Sequence, residues 1–312
     1  MDKYSATSQD NSVPETPDPD LAALLPSWEL HLRAERRSPA TLKVYGDGVR
    51  RFLRYCEAEQ VPARLDRPTV NAFIAHLLDT GAQAATARSR QLALKRFAAW
   101  GVEEEELPRN ELLGLRAPRL DHKVIEPLSD VQITAMIRVC AGRDLRDRRD
   151  EALIRLMAET GMRAGEAAAL KVGDLDLQSG TVIVRRGKGG RGRSVPFGPQ
   201  SAKAIDRYLR VRRSHRLALS EALWLGDRGK PFAYDGLHKA LKARAQAAGV
   251  EGFHPHLLRH TAAHRWLAAG GSEGGLMAVA GWTRPDMLLR YTRARAEVRA
   301  ADEARRLNLG DL

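Results

Sequence analysis

At 312 residues the chain is long enough for two domains, each with a core of its own. Lys and Arg number 51 against 39 Asp and Glu, a formal charge of +12. Such a balance favours a polyanionic partner, nucleic acid first. No apolar run reaches membrane-spanning length and no signal peptide opens the chain, so a membrane partner is not expected and a cytoplasmic location is. Cys56 and Cys140 lie far apart, each at a helical apolar spacing, and read as reduced core residues, not as a disulfide or a metal pair.

Residues 1–18 are polar and proline-rich, and are expected to form a disordered tail. From Leu21 the pattern turns helical, with Leu21, Leu24, Leu25, Trp28 and Leu32 in one apolar stripe. Ser38 followed by Pro39 is an N-cap signal, and Leu42, Tyr45, Val49, Phe52, Leu53 and Cys56 carry a second helix. Val70, Phe73, Ile74, Leu77 and Leu78 mark a third, which stops before Gly81, and a fourth runs from near Thr86 to Gly101. Residues 19–103 therefore read as a four-helix domain, and its cations make it a candidate DNA-binding one. Arg33, Arg36, Arg37, Lys43, Arg50, Arg51 and Arg54 cluster in it against Glu35 and Asp47. Beside a duplex these cations would add a salt-dependent, sequence-independent affinity, with Arg37 and Lys43 as candidate DNA contacts. For any single one of them a solvated helix face is an equal reading.

Residues 104–127 lack periodicity and contain Pro108, Pro118 and Pro127, which predicts a linker. The second domain, 128–312, opens on Ser129-Asp130-Val131-Gln132, a capping box. A helix follows with Ile133, Met136, Ile137 and Cys140 on one face, and the next runs to Thr160 and ends at Gly161. In Thr160–Leu170 (TGMRAGEAAAL), Arg163 and Glu166 are spaced i, i+3, so the carboxylate can orient the guanidinium. Two short strands then flank Ser179-Gly180. A glycine-rich basic stretch, Arg185 to Arg193, leads into Ser194-Val195-Pro196-Phe197 and describes a hairpin tip. Arg185, Arg191 and Arg193 are its candidate phosphate contacts, and Lys188 could both bind phosphate and deliver a proton. Ile205, Tyr208, Leu209 and Arg212 mark a further helix, Leu223-Trp224-Leu225 a buried segment, and Leu237 and Leu241 another helix. The fold class is mainly α with a small antiparallel sheet.

His254–Arg293 holds the densest chemistry. His256 and Arg259 share one helix face, Trp282 follows, and Tyr291 stands nine residues beyond it in a helix that Thr283 could cap. A phenol can be a covalent nucleophile, an imidazole can move protons, and a guanidinium can grip two phosphate oxygens. His256, His260 and His264 fall at i, i+4, i+8, but no Cys or Glu sits in ligand position, so no metal is expected.

The motif His256-Leu257-Leu258-Arg259-His260, then Gly281-Trp282, then Tyr291, resembles the catalytic box of the tyrosine recombinase (phage integrase) family. TGMRAGEAAAL is similar to that family's first arginine motif, and the Gly187-Lys188-Gly189 hairpin to its lysine hairpin. The segment from Glu35 to Cys56 (ERRSPATLKVYGDGVRRFLRYC) looks like its SAM-like core-binding domain. The resemblance implies Tyr291 as nucleophile and Arg163 and Arg259 on the phosphate. It implies Lys188 and His256 in proton transfer, Trp282 as a hydrogen-bond donor where most members have histidine, and Glu166 and His260 in support. It implies no cofactor, double-stranded DNA as partner, and a homotetramer on two paired sites with the C-terminal helix, 294–309, exchanged between protomers. Gly274-Gly275 falls where the family has a helix and is expected to interrupt it. Two other readings stay open on sequence alone: a DNA-binding protein without catalysis, and a monomeric type IB topoisomerase.

Overall fold

The structure, a computed structural model, describes residues 19–120, 126–185, 192–227, 229–285, 287–288 and 305. It divides into two compact units, Met1–Lys123 and Val124–Leu312.

The first unit is built from α1 (Leu21–Ala34), α2 (Pro39–Ala58), α3 (Arg67–Asp79) and α4 (Ala84–Glu103). Three of the four helix starts are set by short acceptor side chains. Asp20 accepts from the Ala22 and Ala23 amides, Ser38 from Thr41, and Asp66 from Thr69. Each thereby satisfies a donor that the first helical turn cannot pair internally. The core gathers Trp28, Phe52, Phe73, Leu94 and Phe97, all fully buried. Trp28 meets Phe97 with ring centroids 5.0 Å apart, and Phe52 meets Phe73 nearly edge-on at 5.5 Å. Burying each such ring contributes about 1.5–3 kcal/mol. α2 and α4 cross at Gly48, where an added Cβ would come within 2.6 Å of the Ala93 Cβ, so the close approach needs glycine.

The expected linker begins too early. Leu112 is fully buried in the first unit's core, with Leu107 and Leu115 packed against it. Arg67 donates to the Glu111 and Leu113 carbonyls, Gln91 to that of Arg116 and Lys95 to that of Leu115. The segment is irregular because side chains, not a helix ladder, pair its carbonyls. Periodicity therefore could not reveal it.

The second unit contains α5 (Asp130–Arg138), α6 (Leu145–Thr160), α7 (Ala164–Ala168) and a 3-10 turn (Val172–Asp174). β1 (Leu175–Asp176), β2 (Thr181–Val184) and β3 (Arg193–Pro196) follow, then α8 (Pro199–Arg212), α9 (Tyr234–Ala247), α10 (Pro255–Ala268) and α11 (Glu273–Ala280). The strands form one antiparallel sheet in the order β1-β2-β3, with Val182 opposite Val195 and Val184 opposite Arg193. α5 opens on the predicted capping box between Ser129 and Gln132. α6 runs through the centre and packs against α5, α7, α8, α9 and α10. It is buried nearly all round, and its buried charges are paired. Asp150 accepts from Arg149 at 2.9 Å and from Arg244 at 2.8 Å, and the Arg149 guanidinium lies 3.9 Å from the Phe232 ring centroid. Arg212 donates to the carbonyls of Ala218, Ser220, Ala222 and Leu223, which holds the chain between α8 and the buried Trp224.

Gly274 and Gly275 lie inside α11 and do not interrupt it. The Ser272 hydroxyl accepts from the Gly275 amide at 3.1 Å, and this cap offsets the poor helix propensity of the pair. Cys56 and Cys140 are both buried and free, and burial pushes the Cys140 thiol up to about 12. Among the described residues no helix is long and apolar enough to cross a membrane.

Candidate active site

The site is assembled from three segments, the turn between α6 and α7, the start of α10, and the β2–β3 strand pair. α6 ends at Gly161 in the left-handed conformation, φ 62°, which swings the chain so that Arg163 becomes the N-cap residue of α7. Within that single turn, Glu166 accepts from the Arg163 amide at 2.9 Å through one oxygen and from the Arg163 guanidinium at 2.9 Å through the other. Glu166 is 8% exposed, while the Arg163 side chain keeps 26% of its surface open. The i, i+3 pairing expected from the sequence is present.

α10 supplies the second arginine. Pro255 opens the helix, His256 follows in its first turn, and Arg259 lies one turn further and is 2% exposed. The Arg259 guanidinium donates to the Gly161 carbonyl at 2.7 Å and to the Ala280 carbonyl at 2.8 Å. Arg259 thus ties the α6 terminus to the end of α11. The Trp282 ring, buried at the foot of α11, has its centroid 5.2 Å from the Arg259 guanidinium carbon. His256 is exposed and meets the buried His260 edge-on, ring centroids 5.0 Å apart. His264 is half-buried one turn beyond.

The β2–β3 hairpin brings in the third arginine, in a setting that differs from expectation. Arg193 does not stand out as a phosphate contact: its side chain is 12% exposed. It grips Glu166 with both terminal nitrogens, at 3.1 and 2.7 Å, and donates through Nε to the Val279 carbonyl at 2.8 Å. The strand alternation contained the signal, because Arg193 stands two residues before the buried Val195 and so points to the same, inner face. Burial alone would raise the Glu166 carboxyl, but hydrogen bonds from Arg193 and Arg163 outweigh it and hold the group below its ordinary value.

Arg163, Glu166, Arg259 and Trp282 are therefore brought together around the α6 and α11 termini. Arg185 is 60% exposed at the hairpin root, and its Nε is bonded to the buried Asp174. Lys188, Arg191 and Tyr291 lie outside the described residues, as do residues 1–18 and, Arg305 apart, the charged C-terminal segment. In the first unit Lys43 is exposed, and Arg37 is exposed with its Nε on Glu35 at 2.9 Å. Lys43, Arg50 and Arg54 fall at i, i+7 and i+11 of α2, opposite the face that buries Val49, Phe52 and Cys56. Chemically, the second unit offers a fixed cluster of guanidiniums suited to an anionic, tetrahedral centre, and the first offers a cationic stripe.

Comparison with known proteins agrees in both units. Residues 126–297 match the model described as the phage integrase family, and residues 25–105 match the phage integrase N-terminal SAM-like domain. The chain is 31% identical over 239 residues to tyrosine recombinase XerC of Corynebacterium efficiens, spanning 75% of this chain and 74% of that protein. Among solved structures, the Tn1549 transposon integrase in complex with transposon right end DNA matches with a TM-score of 0.71 at 17% identity, over 90% of this chain and 99% of that one. A lambda integrase tetramer bound to a Holliday junction matches with a TM-score of 0.66 at 17% identity, over 85% of this chain and 77% of that one. At such identities the structural likeness establishes the shared fold.

Proposed function

The chain belongs to the phage integrase family and is a tyrosine-type, site-specific DNA recombinase that breaks and rejoins strands, and we propose that Tyr291 is its nucleophile. In this reading the Tyr291 phenolate attacks the scissile phosphate. A 3′-phosphotyrosyl bond forms, the bond between phosphorus and the 5′ oxygen breaks, and Lys188 gives its proton to that departing oxygen, which leaves as a 5′-hydroxyl. His256 assists proton transfer at the nucleophile. Arg163 and Arg259 hold the non-bridging oxygens, on which charge grows in the transition state. Trp282 donates its indole N–H and has no acceptor, so it takes no part in proton shuttling. His260 steadies His256 from behind. One phosphodiester is exchanged for another, so the step balances without a metal or a nucleotide, and attack by a second DNA hydroxyl reverses it and exchanges strands.

The observation that supports this most is the fixed pair of arginines. Arg163 is held by Glu166, and Arg259 by the Gly161 and Ala280 carbonyls, both beside the turn that leads to Trp282. Donors that are already oriented need no reorganisation when the oxyanion develops, and that is worth far more than the same charges in water. Double-stranded DNA is the partner, with the α2 stripe and the hairpin arginines Arg185 and Arg191 on its phosphates. We place four protomers on two paired sites, each lending its C-terminal helix to a neighbour, in line with the oligomeric lambda integrase that shares the fold.

The test is covalent capture on DNA bearing a nick beside the cleavage position, drawn from a library of candidate sites. A protein–DNA adduct on a denaturing gel that vanishes in Tyr291→Phe, with binding retained, is the expected result. An adduct that persists in Tyr291→Phe would refute the assignment of the nucleophile. Relaxation of supercoiled DNA at no defined site would favour the topoisomerase alternative.

A further inference from the structure

We propose that Arg193 is a positioning residue for strand cleavage: it locks Glu166, and through Glu166 the Arg163 guanidinium, onto the C-terminal end of α11 together with the root of the Lys188 hairpin. The inference rests on the recombinase reading of Arg163 above.

Glu166 has two oxygens and receives four donors. Oε1 takes the Nη1 atoms of Arg163 and Arg193, at 2.9 and 3.1 Å, and Oε2 takes the Arg163 amide and the Arg193 Nη2, at 2.9 and 2.7 Å. A carboxylate has about four lone-pair directions, so this one is saturated. It cannot turn without breaking a bond to Arg193. The direction of the Arg163 side chain is therefore set at one remove by a residue of another element, 27 positions away from Glu166 in the chain.

The far edge of the Arg193 guanidinium completes the tie. Its Nε donates to the Val279 carbonyl, and the next carbonyl along α11, that of Ala280, receives Arg259. Carbonyls at a helix end have no partner within the helix and lie at its negative pole, so both sites favour a cation. Two successive carbonyls thus hold two different arginines, and the arginine frame is fixed as one piece. In β3, Arg193 pairs with Val184, the last paired position of β2 and β3, so the same lock docks the two strands that precede and follow Lys188 in the sequence.

Charge gives the arrangement a second consequence. Glu166 alone against Arg163 would cancel the cation that must meet the phosphate. With Arg193 added, the three-residue group carries one net positive charge. Among the forces that keep Glu166 ionised against its burial, the Arg193 hydrogen bond is the leading one. A positioning residue of this kind acts on the chemical step. A phosphate contact acts on binding, and loses about 0.9 of the log–log salt slope when removed.

The experiment measures single-turnover adduct formation at saturating full-length protein, beside the DNA dissociation constant across a salt series. The proteins are wild type, Arg193→Ala, Arg193→Lys and Arg163→Ala. Misplacement of a catalytic group by about 1 Å costs on the order of 100-fold, so Arg193→Ala should form adduct roughly 100-fold more slowly. Its dissociation constant and salt slope should match wild type. Arg193→Lys, with one nitrogen in place of a fork, should fall between, and millimolar guanidinium should restore part of the Arg193→Ala rate. The acid limb of the Arg193→Ala rate profile should also move to higher pH, as Glu166 loses its main partner. A weakened dissociation constant with a lowered salt slope and an unchanged saturating rate would overturn the proposal in favour of a phosphate contact. A rate loss that tracks lost melting transitions in both variants and resists guanidinium would overturn it in favour of a purely structural role. If Arg163→Ala forms adduct as fast as wild type, the reading of Arg163 fails. If Arg163→Ala abolishes adduct while Arg193→Ala is as fast as wild type, the inference about Arg193 alone fails.

Discussion

Replacing Arg259 by lysine separates what this side chain does for the fold from what it does for the reaction. Arg259 is 2% exposed and bridges the Gly161 and Ala280 carbonyls, at 2.7 and 2.8 Å. Lysine keeps the charge but ends in one nitrogen, so it can reach one carbonyl and leaves the other buried and unpaired. A hydrogen bond to a charged donor contributes about 1.5–3 kcal/mol. For a unit of this size each kcal/mol moves the melting point by about 2–4 °C, so the second unit of Arg259→Lys should melt about 3–12 °C lower. Removing a donor aimed at a developing oxyanion costs a further factor of about 100–1,000 in rate. Covalent adduct formation, measured well below both melting points, should fall by at least that factor. A melting point within a degree of wild type would refute the carbonyl bridge as a stabilising element. A wild-type rate in a well-folded variant would refute Arg259 as a phosphate ligand.

Three further expectations follow from named contacts. Because Glu166 is held below its ordinary value of 4.5, it adds stability that is fully present above that pH and is lost as pH falls through the lowered folded value. Wild type should therefore lose melting temperature more steeply below pH 4.5 than Glu166→Gln, and parallel curves would contradict the ion-paired carboxylate. Leu112→Ala should destabilise the first unit by about 2–5 kcal/mol in urea unfolding, since Leu112 is fully buried there, whereas a residue in a true linker would cost almost nothing. Lys43→Ala and Arg54→Ala should each lower the salt slope of DNA binding by about 0.9 and leave sequence preference alone, and an unchanged slope would remove α2 from the DNA interface.

Much of this was legible in the chain because it is local. Ser38-Pro39 and the Ser129–Gln132 box announce helix starts, since a cap is made within four residues. The Arg163–Glu166 pair is made within one helical turn, and the order of His256, Arg259 and Trp282 survives as a spacing. The glycine-rich basic run from Arg185 to Arg193 marked the connection between β2 and β3, and 3.6-residue periodicity marked the helices of the first unit.

What only the tertiary structure decided depends on contacts between distant segments. Arg259 reads in the sequence only as a phosphate arginine, and that its guanidinium is also anchored on carbonyls 98 and 21 residues away is visible only in the fold. Arg193, in a run of basic residues and glycines, reads as a surface cation until Glu166 and Val279 close around it. Residues 104–116 read as a linker until Leu112 enters a core it has no periodic neighbours to predict. The paired glycines of α11 read as a break until the Ser272 cap and the packing of Leu276 and Ala280 hold them helical. The physical reason is the same in each case. Local hydrogen bonding and hydrophobic period are written in spacing, whereas the partner of a buried charge is chosen by whichever distant carbonyl or carboxylate the packed core brings within 3 Å of it.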